Sequence, residues 1–177
     1  MKPRVGISRC LLGDDVRYDG TNKRSSAVGE LSAFIEWVAV CPEVEVGMGV
    51  PREPIQLVRD ASGVRAGNET VRLHGVHSGE DWTNRMLGWA RARAADLAAL
   101  GVSGFVLKAR SPSCGPAGVL VHGDPREPTP TGRGLFAEAL AAAIPTLPMI
   151  DEEALGDRHV RERFLQDVRA FAAGLDR

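Results

Sequence analysis

Three cysteines stand far apart in the chain, Cys10, Cys41 and Cys114. Three thiols in one protein are either small buried hydrophobes or ligands and nucleophiles. An odd count with no secretion signal ahead of it speaks against a disulfide framework. Their neighbours are not those of a core. Cys41-Pro42-Glu43 sets a carboxylate two residues past a thiol. Ser111-Pro112-Ser113-Cys114-Gly115-Pro116 surrounds another with hydroxyls, prolines and a glycine, a rigid polar loop whose amides can approach a ligand closely. Arg9, Arg17, Arg52, Lys108 and Arg110 lie nearby in sequence, and such cations favour thiolate. Three thiolates select zinc, copper or an iron–sulfur cluster. Structural zinc takes a closed set of four ligands, usually in closely spaced pairs, whereas these cysteines are separated by 31 and 73 residues. An electron-transfer cluster takes four cysteines. Three would leave one iron open, which suits Lewis-acid chemistry. His74, His77, His122 and His159 show no zinc-type pairing, although one of them could complete a Cys₃His site.

These thiols can act together only if the fold brings them together. Apolar runs at 4–8, 37–41, 104–108 and 146–150 read as strands. Helical spacing separates them. One helix begins near Ser25 or Ser26, with Leu31, Phe34, Ile35 and Val38 as its stripe. A second covers about 81–100, with Met86, Leu87, Ala90, Ala94, Leu97 and Leu100 inward and Gly101 as its stop. Others cover 135–143 and about 157–174, the last with Val160, Phe164, Val168 and Phe171 spaced for burial. Two glycines and two prolines within 46–54 forbid regular structure there. Residues 55–58 and 70–73 read as a hairpin around a turn at 61–63, and 118–123 as another hairpin-like piece. The alternation predicts an α/β fold, a three-layer Rossmann-like, mostly parallel sheet with a small β-hairpin excursion, in a single domain over 1–177. Cys10 then lies two residues beyond the first strand, Cys41 closes the second, and Cys114 follows the third. All three leave at the carboxyl edge, where open α/β sheets bind ligands. Gly132-Arg133-Gly134, ahead of a helix, is either a flexible loop entry or a source of amides for an anion.

Composition narrows the classes. With 22 Lys+Arg against 23 Asp+Glu in 177 residues, the net charge of −1 gives no field to draw in nucleic acid, and aromatics at 5% are sparse for base stacking. No apolar run approaches membrane-spanning length. The N-terminus turns polar too soon for a signal peptide, so a cytoplasmic protein with no membrane partner is expected.

The motifs Ser8-x-Cys10-Leu11-Leu12-Gly13, Val16-Arg17-Tyr18-Asp19-Gly20, Cys41-Pro42-Glu43, Pro51-Arg52-x-Pro54 and Lys108-x-Arg110-Ser111-Pro112-Ser113-Cys114-Gly115 follow one another in order. Together, over about 5–150, they resemble the bacterial family long called domain of unknown function 523, which includes the thiouracil desulfidases. The resemblance implies a 4Fe–4S cluster held by Cys10, Cys41 and Cys114, with a fourth iron that takes the sulfur of a thiolated base. Water then replaces sulfur at the ring carbon, leaving uracil and sulfide with no net redox change. It further implies Glu43 as general acid/base and Ser111 as a hydrogen-bond or relay group. Some relatives carry an additional domain. A chain without room for one is expected to take a free base or another small thioamide.

Each of these residues also has a plainer reading. Glu43 could be a solvated acid or a partner of Arg52, Ser111 a turn cap, and Ser113 a loop brace. Ser8, Arg17, Tyr18, Arg52, Lys108 and Ser113 are the candidate substrate-binding groups; surface ion pairs and a turn closed by Gly20 are the alternatives. A non-catalytic metal or redox sensor built on the same three cysteines is the competing function.

Overall fold

The computed structural model describes residues 2–60, 70–123 and 128–175. Strands β1 (Arg4–Ser8), β2 (Glu36–Val40), β5 (Val102–Leu107) and β8 (Met149–Asp151) form one sheet in the order β2-β1-β5-β8. Every pairing in it is parallel, with Ser8 opposite Val40 and Ile7 opposite Val106. Parallel strands need crossovers, and helices supply them on both faces. On one face Val5, Ile7 and Val106 pack against Val28 and Leu31 of α1 (Ser26–Leu31) and Phe164 and Val168 of α5 (Arg158–Leu175). On the other, Val40, Phe105 and Leu107 meet Ala90, Ala94 and Leu97 of α3 (Thr83–Ala99) and Phe136 and Leu140 of α4 (Leu135–Ala143). Gly6 is required at the centre, because a Cβ there would lie 2.1 Å from the Phe105 ring. Filling both faces from a single all-buried strand, β5, makes it the spine of the core.

The 55–73 hairpin grows into a second sheet. β3 (Ile55–Asp60) and β4 (Thr70–Gly75) pair antiparallel; β6 (Val119–His122) joins β3 in parallel, and β7 (Thr129–Gly132) joins β6 antiparallel. Its inner face, Leu57, Leu73, Val119 and Val121, rests on Met86 and Leu135. Helix α3 thus serves both sheets, with Met86 toward one and Ala90, Ala94 and Leu97 toward the other.

Several predicted boundaries move. The first helix stops at Leu31, leaving Phe34 outside it and 49% exposed. Leu100 and Val160, assigned inward, are exposed, the former because α3 ends at Ala99 and Gly101 turns away at φ 70°. The last strand is Met149–Asp151 rather than 146–150, since Pro148 has no N–H to give a ladder, although its carbonyl accepts from Phe105 N–H at 2.8 Å. The 61–63 turn lies outside the described residues.

Candidate functional site

Each thiol follows a strand end through a different local device. After β1 the chain enters a 3₁₀ turn over Arg9–Leu12, and the Cys10 carbonyl accepts from Gly13 N–H at 3.3 Å and Lys23 N–H at 2.9 Å. After β2, Cys41 caps α2 (Pro42–Glu45): Pro42 occupies the first helical position, and Glu45 reaches back to accept Cys41 N–H at 3.0 Å. After β5, Ser111 Oγ accepts Cys114 N–H at 3.1 Å and Ser113 N–H at 3.3 Å. The amides of Gly134, Leu135 and Phe136 donate to the carbonyls of Gly115, Pro112 and Ser113. Thus, of the two readings of Gly132–Gly134, the anion-binding one loses the Gly134 amide, which is spent on the cysteine loop. Gly134 itself lies so close to that loop that a Cβ would sit 2.5 Å from Ser113 backbone.

The three loops enclose a cavity of about 360 Å³. Cys10, Cys41 and Cys114 line it, together with Ser8, Arg17, Tyr18, Glu43, Arg52, Lys108, Ser111 and Ser113. The structure therefore brings together the three cysteines and every catalytic and substrate-binding candidate named from the sequence, while the four histidines and Gly132–Gly134 are not on this wall. Sequence reasoning missed Lys23, Pro54 and Ile55 on the lining and Glu152 behind it. The acidic run Asp151-Glu152-Glu153 just past the predicted last strand was the available signal for Glu152.

Glu43 is held on both oxygens. Arg52 donates to Oε2 through Nε at 2.8 Å and Nη2 at 2.6 Å, and Ser113 Oγ donates to Oε1 at 2.7 Å. Arg52 also donates to the carbonyls of Val16 and Gly49. Ser111 Oγ lies 3.0 Å from Ser113 Oγ, so the hydroxyl touching the carboxylate belongs to Ser113, with Ser111 one step behind it. Ser8 is 3% exposed and its Oγ accepts Lys108 N–H at 2.9 Å, while Ser113 Oγ lies 3.8 Å from Cys114 Sγ. Arg17 donates to Asp19 and Thr21 and lies 5.2 Å from the Tyr18 ring centroid, and Tyr18 is exposed at the mouth.

The expectation that nearby cations favour thiolate is overturned. Burial pushes the Cys10 thiol up to about 11, with Cys41 adding to the rise and Lys108 opposing it. Burial likewise raises Cys41, and it raises Cys114 further, against the hydrogen bond from Ser8. The cations are already neutralised: Arg9 by Asp14, Arg17 by Asp19, Arg52 by Glu43, Lys108 by Glu152 and Arg110 by Glu153. Desolvation therefore wins over their field. A metal centre placed here would have to displace the thiol protons itself.

The donor set discriminates between metals. Among the described residues, no three His, Cys, Asp or Glu side chains gather closely enough to hold a single ion. Three free cysteines distributed around one cavity instead suit a polynuclear core that spreads its ligands over several corners, and no histidine is at hand to complete a Cys₃His zinc site.

Comparison with known proteins points the same way. A family model described as 2-thiouracil desulfurase matches residues 5–152. The uncharacterized protein YbbK of Bacillus subtilis (strain 168) is 32% identical over 151 residues, covering 85% of this chain and 97% of its own. A solved structure of the 4Fe-4S-dependent thiouracil desulfidase TudS has a TM-score of 0.68 and 28% identity, covering 92% of this chain and 99% of that one.

Proposed function

Because this chain belongs to the 2-thiouracil desulfurase family, we propose that it removes sulfur from a thiolated pyrimidine base without net redox change, on a 4Fe–4S cluster held by Cys10, Cys41 and Cys114. The observation that carries this reading is the meeting of three strand-end thiols on one cavity whose wall presents the paired carboxylate Glu43. Held by Cys10, Cys41 and Cys114, such a cluster would supply soft Lewis-acid chemistry toward a thiocarbonyl sulfur and would polarise its bond to carbon. The chain's own groups account for the protons. Glu43 takes a proton from water as the water oxygen bonds to the ring carbon and passes it to the sulfur; as the carbon–sulfur bond breaks it takes the remaining hydroxyl proton, the carbonyl forms, and that second proton leaves with the sulfide. A thiocarbonyl and water thus become a carbonyl and hydrogen sulfide. Ser113 orients the carboxylate and connects it to Ser111; Arg52 holds the carboxylate from behind.

Ser8 serves the site by fixing the end of β5 at Lys108. Arg17, Tyr18 and Lys108 remain on the lining as groups for the base and its carbonyl. Apolar Val16, Val40, Pro54 and Ile55 complete a cavity suited to a flat heterocycle. Among the described residues no helix is long and apolar enough to cross a membrane. Free thiols and an open cluster both call for a reducing compartment, the cytoplasm. Residues 1–177 are read as a single desulfidase-like domain.

The test is anaerobic purification, reconstitution with iron and sulfide, and addition of 2- or 4-thiouracil. A brown chromophore and sulfide release are expected, and Cys10→Ala, Cys41→Ala and Cys114→Ala should each lose the chromophore. Bound zinc or a disulfide with no thiobase turnover would give the assignment to the sensor reading.

A further inference from the structure

Glu152 stands behind the cavity wall rather than on it. It follows β8 directly, and its side chain is 13% exposed. Both oxygens are engaged: one accepts from the Lys108 ammonium, the other from Ala109 N–H at 2.6 Å. Lys108 Nζ also donates to the Ala109 carbonyl at 3.1 Å. The same short turn is held from β1, where Ser8 Oγ accepts Lys108 N–H. It then passes through Arg110 at φ 58°, a left-handed conformation that a non-glycine residue keeps only when its surroundings impose it. The turn runs straight into Ser111, Ser113 and Cys114. Resting on the desulfidase reading for its kinetic consequence alone, the geometry points to Glu152 as a positioning residue. It fixes the Lys108 ammonium on the cavity wall and sets the start of the loop that carries Ser111, Ser113 and Cys114.

The physical case is one of freedom removed. A lysine on a cavity wall has a long flexible stem, and its ammonium acts at a defined place only if something holds it. Glu152 does this with one oxygen while its other oxygen pins the adjoining amide, so side chain and backbone are located by a single carboxylate. Its neighbour Glu153 holds Arg110, but at 51% and 64% exposure that pair is solvated and weak. The two adjacent acids are therefore predicted to differ sharply in consequence.

The experiment compares Glu152→Gln, Glu152→Asp and Glu153→Gln in the reconstituted holoprotein, with Lys108→Met and the Glu152→Gln/Lys108→Met double variant. Glu152→Gln should keep the cluster's visible absorption yet raise KM for thiouracil about tenfold, with kcat changed far less. Glu152→Asp should recover part of the loss. Because Glu152 acts through Lys108, adding Glu152→Gln to Lys108→Met should cost little more than Lys108→Met alone. Amide hydrogen exchange over 108–114 should rise in Glu152→Gln and remain at the wild-type rate in Glu153→Gln. Unchanged KM in Glu152→Gln, fully additive effects with Lys108→Met, or unchanged exchange would each overturn the assignment. Should the wild type itself release no sulfide from thiouracil, the desulfidase reading fails and the exchange measurement alone decides the role of Glu152.

Discussion

Two partly buried carboxylates flank the cavity in nearly equal solvent shelter, Glu43 at 14% and Glu152 at 13% exposure, each paired with a cation. They differ in what the second oxygen meets. In Glu43 it meets the Ser113 hydroxyl, a group that can both donate and accept, with Ser111 beyond it. In Glu152 it meets the Ala109 backbone amide, which only donates and does not exchange its role. The first contact offers a path for a proton; the second offers none and holds the backbone in place. Burial and charge pairing alone would class the two acids together. On the proposed reading, the identity of the remaining partner separates the acid/base group from the one that positions it.

The comparison breaks most directly at Glu43. Glu43→Gln keeps the carboxylate's shape and is expected to retain the cluster chromophore while kcat falls by about 10²–10⁴. Anaerobic turnover of thiouracil at unchanged absorbance per protein checks this, and wild-type turnover would erase the distinction drawn between the two acids. Arg52→Met should come next. It leaves a sheltered carboxylate without its cation, and removal of one partner of a buried pair costs about 3–5 kcal/mol. The fall in urea midpoint of the apoprotein at constant slope reads that cost.

The serines sharpen the same contrast at smaller effect. Ser113→Ala removes the hydroxyl on Glu43 and should lower kcat about tenfold, the worth of one hydrogen bond to a charged group. Ser111→Ala frees two loop amides instead, so its larger effect should appear as reduced cluster retention, measured as iron per protein.

The smallest expected effect lies outside the cavity, at Asp157. Its carboxylate accepts the N–H groups of His159 at 2.8 Å and Val160 at 3.2 Å at the start of α5, and these bonds hold its pKa below the ordinary carboxylate value. A lowered folded pKa means stability present above the unfolded value, near pH 4, and lost as pH falls through the folded one. Asp157→Asn keeps an acceptor but cannot titrate. Its thermal midpoint should therefore fall less between pH 5 and about pH 3 than that of the wild type, with no change in turnover at neutral pH.

Much of the site was legible because parallel α/β order has local signatures. Apolar runs alternating with helical spacing placed β1, β2 and β5, and three cysteines just beyond three strand ends followed from that order alone. The pairings that build the second sheet were not legible. Leu57 meets Val121 across more than sixty residues of intervening chain, and nothing in the short 118–123 run indicates whether it pairs with its neighbour or with β3. Helix ends were misplaced where periodicity continued past the helix, as at Phe34. That Ser113 rather than Ser111 reaches Glu43 depends on how the loop folds back onto the start of α4, which two serines two residues apart do not reveal.

The sequence by itself determined that three thiols follow three strand ends, that an acid stands two residues past one of them and that the order is layered α/β, because residue type, spacing and periodicity are local properties of the chain. Only the tertiary structure decided that burial raises the thiol pKa values, since desolvation depends on everything packed around them, and against it the neutralised cations count for little. It also decided which hydroxyl reaches Glu43 and that Glu152 lies behind Lys108. Those contacts join residues 70 and 44 positions apart, and only the packing of β1, β2, β5 and β8 side by side brings them within a hydrogen bond of each other.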